Sequence, residues 1–148
     1  MSYQEKKNIV QLISSTVIFA LYSIFVYSRD KDMTLEGEEL FRHWGAVILI
    51  LIPITIVARM IIEIVFVIIH RIATNEKEPS FADELDKLIE LKAMRVSYFV
   101  FLFGFFLAMG ALVLEWRISA MFIILLVSGF VSEAAGILWK LRLYRRGV

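Results

Sequence analysis

The sequence predicts an all-α fold: a transmembrane four-helix bundle, N-in and C-in, with the third span extended into the cytoplasm as an amphipathic helix. Three observations carry that expectation. First, uncharged apolar stretches run Asn8–Ser28, Trp44–Ala58, Val96–Leu114 and Ile118–Ser132 in a chain of 148 residues. The second and fourth continue past isolated charges to about His70 and Trp139. A helix needs about 20 mostly apolar residues to cross the hydrocarbon core of a bilayer. Second, hydrophobic residues make up 59% of the chain and charged residues 21%, and the two are segregated rather than blended. Third, the flanking cations are lopsided. Lys6, Lys7, Arg71, Lys77, Lys87, Lys92, Arg95, Lys140, Arg142, Arg145 and Arg146 put eleven on one side, against four (Arg29, Lys31, Arg42 and Arg117) on the other. Cytoplasmic segments carry the excess of Lys and Arg, so the eleven mark the cytoplasm.

Span 1 is expected over about 9–27. Its apolar stretch exceeds the ~7–15 residues of a signal-peptide core, and no small-residue cleavage pattern follows, so it reads as a retained signal-anchor. The connection Arg29–His43 (RDKDMTLEGEELFRH) holds five carboxylates. No spacing within it resembles a calcium loop, and a solvated loop with a short amphipathic turn is the expectation. Span 2 covers about 46–69. Pro53 within it removes one backbone hydrogen bond, frees the Leu49 carbonyl and can bend the helix.

The central connection begins with a polar, turn-like segment, Ala73–Pro79. Ser80 then suits an N-cap, and Asp83 sits near the positive end of the helix that follows. Phe81, Leu85, Leu88 and Ile89 repeat at helical spacing, and Asp83 and Lys87 form a favourable pair one turn apart. A cytoplasmic helix over about 81–95 is therefore predicted, running without a breaker into span 3 (about 96–114). Its apolar stripe needs cover from the bilayer surface, the rest of the chain, a second copy or another protein.

Only Glu115-Trp116-Arg117 separates span 3 from span 4 (about 118–139), so these two must form an antiparallel hairpin. Gly104, Ala108 and Ala111 in one and Ser128, Ser132 and Gly136 in the other are small residues that let backbones approach in a membrane. Packing of these two helices on each other is the first expectation and a dimer interface the second. Phe99, Phe101, Phe103, Phe105 and Phe106 surround much of span 3 and read as lipid-facing or core bulk. Tyr27, Trp44 and Trp116 are placed at the outer interface and Tyr98 and Trp139 at the inner one.

The candidate site lies among the polar residues inside the spans. Arg59 and Glu63 stand four apart on one face of span 2, and an Arg at a helix centre costs about 2.5–3.5 kcal/mol on insertion scales. These groups should face the bundle interior or a wet crevice rather than lipid. Glu133 on span 4 falls at a similar depth, and Gln11 and Ser15 on span 1 complete a layer of Gln11, Ser15, Arg59, Glu63, Ser132 and Glu133. One Arg faces two Glu there. Either the layer is a structural polar cluster, or a proton, a metal cation or a cationic ligand completes it.

Several chemistries are excluded. No Ser–His–Asp set, paired-His metal helix or glycine-rich phosphate loop occurs, and no enzyme activity or cofactor is expected. Cysteine is absent, which removes disulfides and thiolate metal sites. His43 and His70 sit at opposite ends of one span. The net charge of +1 gives no support for nucleic-acid binding. Both hairpins enter the membrane in the same direction, so one copy holds no inverted repeat.

The segment Glu78–Lys92 (EPSFADELDKLIELK) resembles a family of small bacterial four-span membrane proteins with a cytoplasmic acidic-basic helix before the third span. Met121–Glu133 and the ending Tyr144–Val148 are similar to the same family. The resemblance implies a multi-pass protein of the bacterial cytoplasmic (plasma) membrane and supplies no activity. In length the chain is also similar to four-span small multidrug transporters. Their essential glutamate lies in the first span, and here no charge stands between Lys7 and Arg29. The expected function is non-enzymatic: an accessory, sensory or regulatory component of the lipid bilayer acting by contact through Phe81, Leu85, Leu88 and Ile89 on a protein partner or a second copy. The alternative is a small oligomeric proton- or cation-coupled transporter or channel using Glu63, Glu133 and Arg59.

Overall fold

A computed structural model describes residues 1–75 and 84–147. Its four helices are α1 (Tyr3–Asp30), α2 (Glu38–Thr74), α3 (Glu84–Val113) and α4 (Ile118–Arg146). Each is long and apolar enough to cross a membrane, which supports a multi-pass membrane protein. The shortest, with 28 residues, extends about 42 Å at 1.5 Å per residue, beyond the ~30 Å of a hydrocarbon core.

Local chemistry explains where the helices begin and end. Ser2 and Glu5 form a capping box at the start of α1: the Glu5 N–H donates to Ser2 Oγ at 3.2 Å, and the Ser2 N–H donates to Glu5 Oε2 at 2.8 Å. Gly37 precedes α2 with φ of 62°, and Glu38 and Glu39 then fill the first turn, where the helix dipole favours carboxylates. Asn75 closes α2 in the left-handed region, φ 53°, with its N–H on the Arg71 carbonyl at 3.0 Å. α2 runs through Pro53 without interruption. It is longer than the predicted span at both ends, because the helix continues through charged flanks outside the apolar stretch.

The α3–α4 turn is built on Glu115, which takes the left-handed conformation with φ of 58°. The Trp116 N–H reaches the Ala111 carbonyl at 3.0 Å and the Glu115 N–H reaches Leu112 at 3.1 Å. These are the paired bonds of a Schellman motif, formed here without glycine at the left-handed position.

α3 and α4 pack along their length through small side chains. Ala93, Gly104, Ala108 and Ala111 are buried against a face that includes Ser128, Gly136 and Ile137. A methyl group at Gly104 would run into the Ser128 side chain, and one at Gly136 into Ser97. α1 lies against α4 on one side and α2 on the other, while α2 meets α4 only locally. Among the described residues the backbone of α3 approaches neither α1 nor α2. The arrangement is thus a cluster of α1, α2 and α4 with α3 fixed to the far side of α4, open between α2 and α3.

Both termini lie at one end of the molecule, joined by Arg145 Nε and Glu5 Oε1 at 3.7 Å. We call this the termini face. The opposite end is closed by His43 Nε2 on Asp30 Oδ2 at 2.5 Å. Trp44 sits there too, and it departs from its expected place at a lipid interface. It is buried, donates from Nε1 to Ser119 Oγ at 3.2 Å, and stacks on Phe122 with ring centroids 5.8 Å apart. Tying α2 to α4 satisfies the indole N–H, which a lipid-facing position would leave to headgroups and water. Tyr27, Tyr98 and Trp116 are exposed, as are the five phenylalanines of α3.

Candidate functional site

The apolar part of α1, from Asn8 to Ser28, spans about 31 Å, close to the thickness of a hydrocarbon core. Lys7 therefore stands at one end of an apolar stretch of membrane-spanning length. It forms an ion pair with Glu63 of α2. Further in, one turn along α2 from Glu63 and about two along α1 from Lys7, Arg59 Nη2 pairs with Glu133 Oε1 of α4, and the Ser15 hydroxyl donates to the same oxygen at 2.8 Å. Three helices thus converge on Glu133.

The predicted layer is only partly realised. Ser15, Arg59 and Glu133 come together, as expected from matched depths on α1, α2 and α4. Glu63 does not join them; it turns to Lys7 nearer the termini face. Gln11 lines the adjoining cavity. Ser132 donates back to the Gly129 carbonyl of its own helix at 2.8 Å and takes no part. Although Arg59 and Glu63 stand one turn apart on α2, they do not pair with each other. Each finds its partner on a neighbouring helix, where the cross-helix approach brings opposite charges into direct contact.

The charge sum changes accordingly. Lys7 supplies the second cation, so the two carboxylates are matched by two bases. Lys7 reads in the sequence as a flanking cation that sets orientation. Its position one residue before Asn8 was the signal that its four-carbon stem could reach a carboxylate at the boundary.

Two cavities meet at Arg59. One, of about 400 Å³, lies toward the termini face and is walled by polar groups that include Lys7, Gln11, Glu63, Asp86, Glu90 and Lys140. The other, of about 390 Å³, runs deeper and is apolar, with Phe19, Leu51, Ile52, Phe101 and Phe130 on its walls. Asp86, Glu90, Lys140 and Tyr144 were missed in the sequence. They belong to the helix ends of α3 and α4, and only the hairpin register brings them together. The Tyr144 hydroxyl donates to Asp86 Oδ1 at 2.7 Å, and Lys140 Nζ lies 3.7 Å from Glu90 Oε1. Burial, then the Asp86 carboxylate, push the Tyr144 phenol well above its ordinary range.

The predicted partner stripe on the start of α3 is divided. Phe81 lies outside the described residues. Leu85 and Leu88 are 48% and 43% exposed, whereas Ile89 is 1% exposed, buried on the face that carries Ala93 toward α4. Ile89 therefore serves the hairpin and not an outward surface. It lies about 40° around the helix from Leu85, enough to turn it inward.

The fold and site define a class, a four-helix protein of membrane-spanning type with ion pairs between its helices, and no more than a class. No protein-family model, curated protein or solved structure matches the chain.

Proposed function

We propose that the chain is a non-enzymatic integral membrane protein, an accessory, sensory or regulatory component of a bacterial cytoplasmic membrane that acts by protein contact. The termini face lies in the cytoplasm in this reading, on the strength of eleven cations against four. The observation that carries it is the start of α3. Leu85 and Leu88 project from a helix already fastened to α4 by Ile89, Tyr144–Asp86 and Lys140–Glu90. Apolar side chains presented on a pre-ordered helix lose little further entropy on docking into a partner's groove. The interior supports the same reading: Arg59 is matched by Glu133 and Glu63 by Lys7, so neither of these two glutamates is left calling for a proton or cation.

Photocrosslinkers at Leu85 and Leu88 test it. The expected result is one protein species, identified by mass spectrometry and lost with Leu85→Glu and Leu88→Glu at unchanged protein level. Absence of any crosslinked protein overturns the proposal. A second reading, a small oligomeric proton- or cation-coupled transporter or channel, draws on Arg59 standing between two cavities. Flux in proteoliposomes that survives Glu133→Gln and Glu63→Gln unchanged removes it.

A further inference from the structure

We infer that the open side between α2 and α3 is a binding site for one phospholipid with an ethanolamine headgroup. Its acyl chain lies in the apolar groove and its ammonium group beside Asp86. This does not depend on the contact reading above, since it uses the opposite side of the α3 start from Leu88.

The shape argues for an amphiphile. The apolar groove and the polar cavity adjoin at Arg59 as a two-part cleft, greasy at depth and charged toward the termini face. The floor is α1 and α4. The rims are α2 and α3, whose described backbones do not meet, so the cleft faces sideways at the level of the acyl chains. A water-soluble ligand leaves the groove of about 390 Å³ unfilled. An extended peptide would bring unpaired backbone groups into hydrocarbon.

The charges select the headgroup. Glu133 occupies Arg59, Glu63 occupies Lys7, and Glu90 faces Lys140. Asp86 is left as the carboxylate with no cation within ion-pair distance among the described residues; its recorded partner is the Tyr144 hydroxyl. Over the two cavities together, four carboxylates (Glu63, Asp86, Glu90 and Glu133) stand against three cations (Lys7, Arg59 and Lys140), one negative charge in excess, and a primary ammonium supplies both the opposite charge and hydrogen-bond donors. Lys140, held to Glu90 at 3.7 Å, keeps donors for the phosphate that follows. A glycerol headgroup would add only an anion to a wall already negative. A choline headgroup brings the charge but no N–H.

The experiment uses the full chain reconstituted with equal amounts of ethanolamine, glycerol and choline phospholipids of identical acyl chains. Lipid retained after mild detergent extraction is counted by native mass spectrometry. One ethanolamine lipid per chain, about tenfold over either competitor, is expected from a charge-assisted hydrogen bond. Asp86→Asn should bring that ratio close to one, and Ile52→Trp, which fills the groove, should lower retention of all three. Equal retention of the three lipids by the wild-type chain, or preference for the glycerol lipid, overturns the proposal without recourse to any variant. So does an unchanged ratio in Asp86→Asn, or a disulfide-linked homodimer through Ile52→Cys.

Discussion

Along the α3–α4 seam the meeting residues are mostly alanines, glycines and serines, with Ile89 and Ile137 among them; there is no room for a methyl group at Gly104, and at Gly136 the Ser97 hydroxyl would have to turn aside. Along the seams that α1 makes, larger and more polar groups meet. Tyr22 donates to the Val47 carbonyl at 2.5 Å, Phe19 stacks on Phe130 at 4.5 Å, and Lys7 and Ser15 reach carboxylates on α2 and α4. The difference follows from connection length. A three-residue turn forces α3 and α4 together, so close packing of small residues is available to them. α1 has no such tether to α4, and specific polar bonds hold it in place.

The largest effect is expected where close packing is broken. Gly104→Leu should destabilise the hairpin by about 3 kcal/mol, the upper part of the usual range for overpacking. Unfolding in mixed micelles with increasing denaturing detergent measures it. Gly104→Ala should cost less and be largely relieved by Ser128→Gly, because the obstructing atoms belong to the Ser128 side chain. A lack of rescue would mean that the two helices are not in register as described.

Next comes the polar seam. Glu133→Ala leaves Arg59 without a partner about one turn along α2 inside the outer pair; with the two side chains 43% and 27% exposed, the cost should be on the order of 1 kcal/mol. Lys7→Gln removes the outer pair, whose side chains are 33% and 53% exposed, and should cost only about 0.5 kcal/mol. The ratio between the two variants is the useful quantity. Equal costs would place both pairs in the same dielectric surroundings and erase the distinction between boundary and interior.

The same contrast governs what could be read from the sequence. The four helices were legible because apolar length is a one-dimensional property, and the α3–α4 contact was legible because Glu115-Trp116-Arg117 is too short for any other arrangement. Ser15, Arg59 and Glu133 could be matched by counting residues along spans. Partner choice could not. Whether Arg59 takes Glu63 on its own helix or Glu133 across the bundle depends on rotation of helices about their axes, which spacing leaves free. Trp44 shows the same limit: an aromatic at a span end fits a lipid interface or an inter-helix seam equally well until the neighbour, Ser119, is known.

At the termini face the seam can be tested by pH. The Tyr144 phenol titrates above its ordinary value, so the folded state favours the protonated form. Its contribution is fully present below the unfolded value near 10 and is lost as pH rises through the folded one. Among the chain's 5 tyrosines, Tyr144 should therefore ionise late. A spectrophotometric titration of the wild type minus Tyr144→Phe should show a phenolate that forms only in strong alkali. A difference spectrum with an ordinary midpoint would mean that the phenol is neither buried there nor bonded to Asp86.

The smallest effect concerns the turn that makes the hairpin seam what it is. Glu115 holds a left-handed backbone that costs an L-residue with a Cβ about 1 kcal/mol, and its side chain is exposed. Glu115→Gly should relieve that strain and return part of the gain through greater freedom of the unfolded chain, for a net stabilisation of about 0.5 kcal/mol. Glu115→Val should go the other way, since β-branching makes positive φ worse. If both substitutions were neutral, the Schellman bonds from Trp116 and Glu115 would not be limiting the register, and the close approach at Gly104 and Gly136 would have to set it alone.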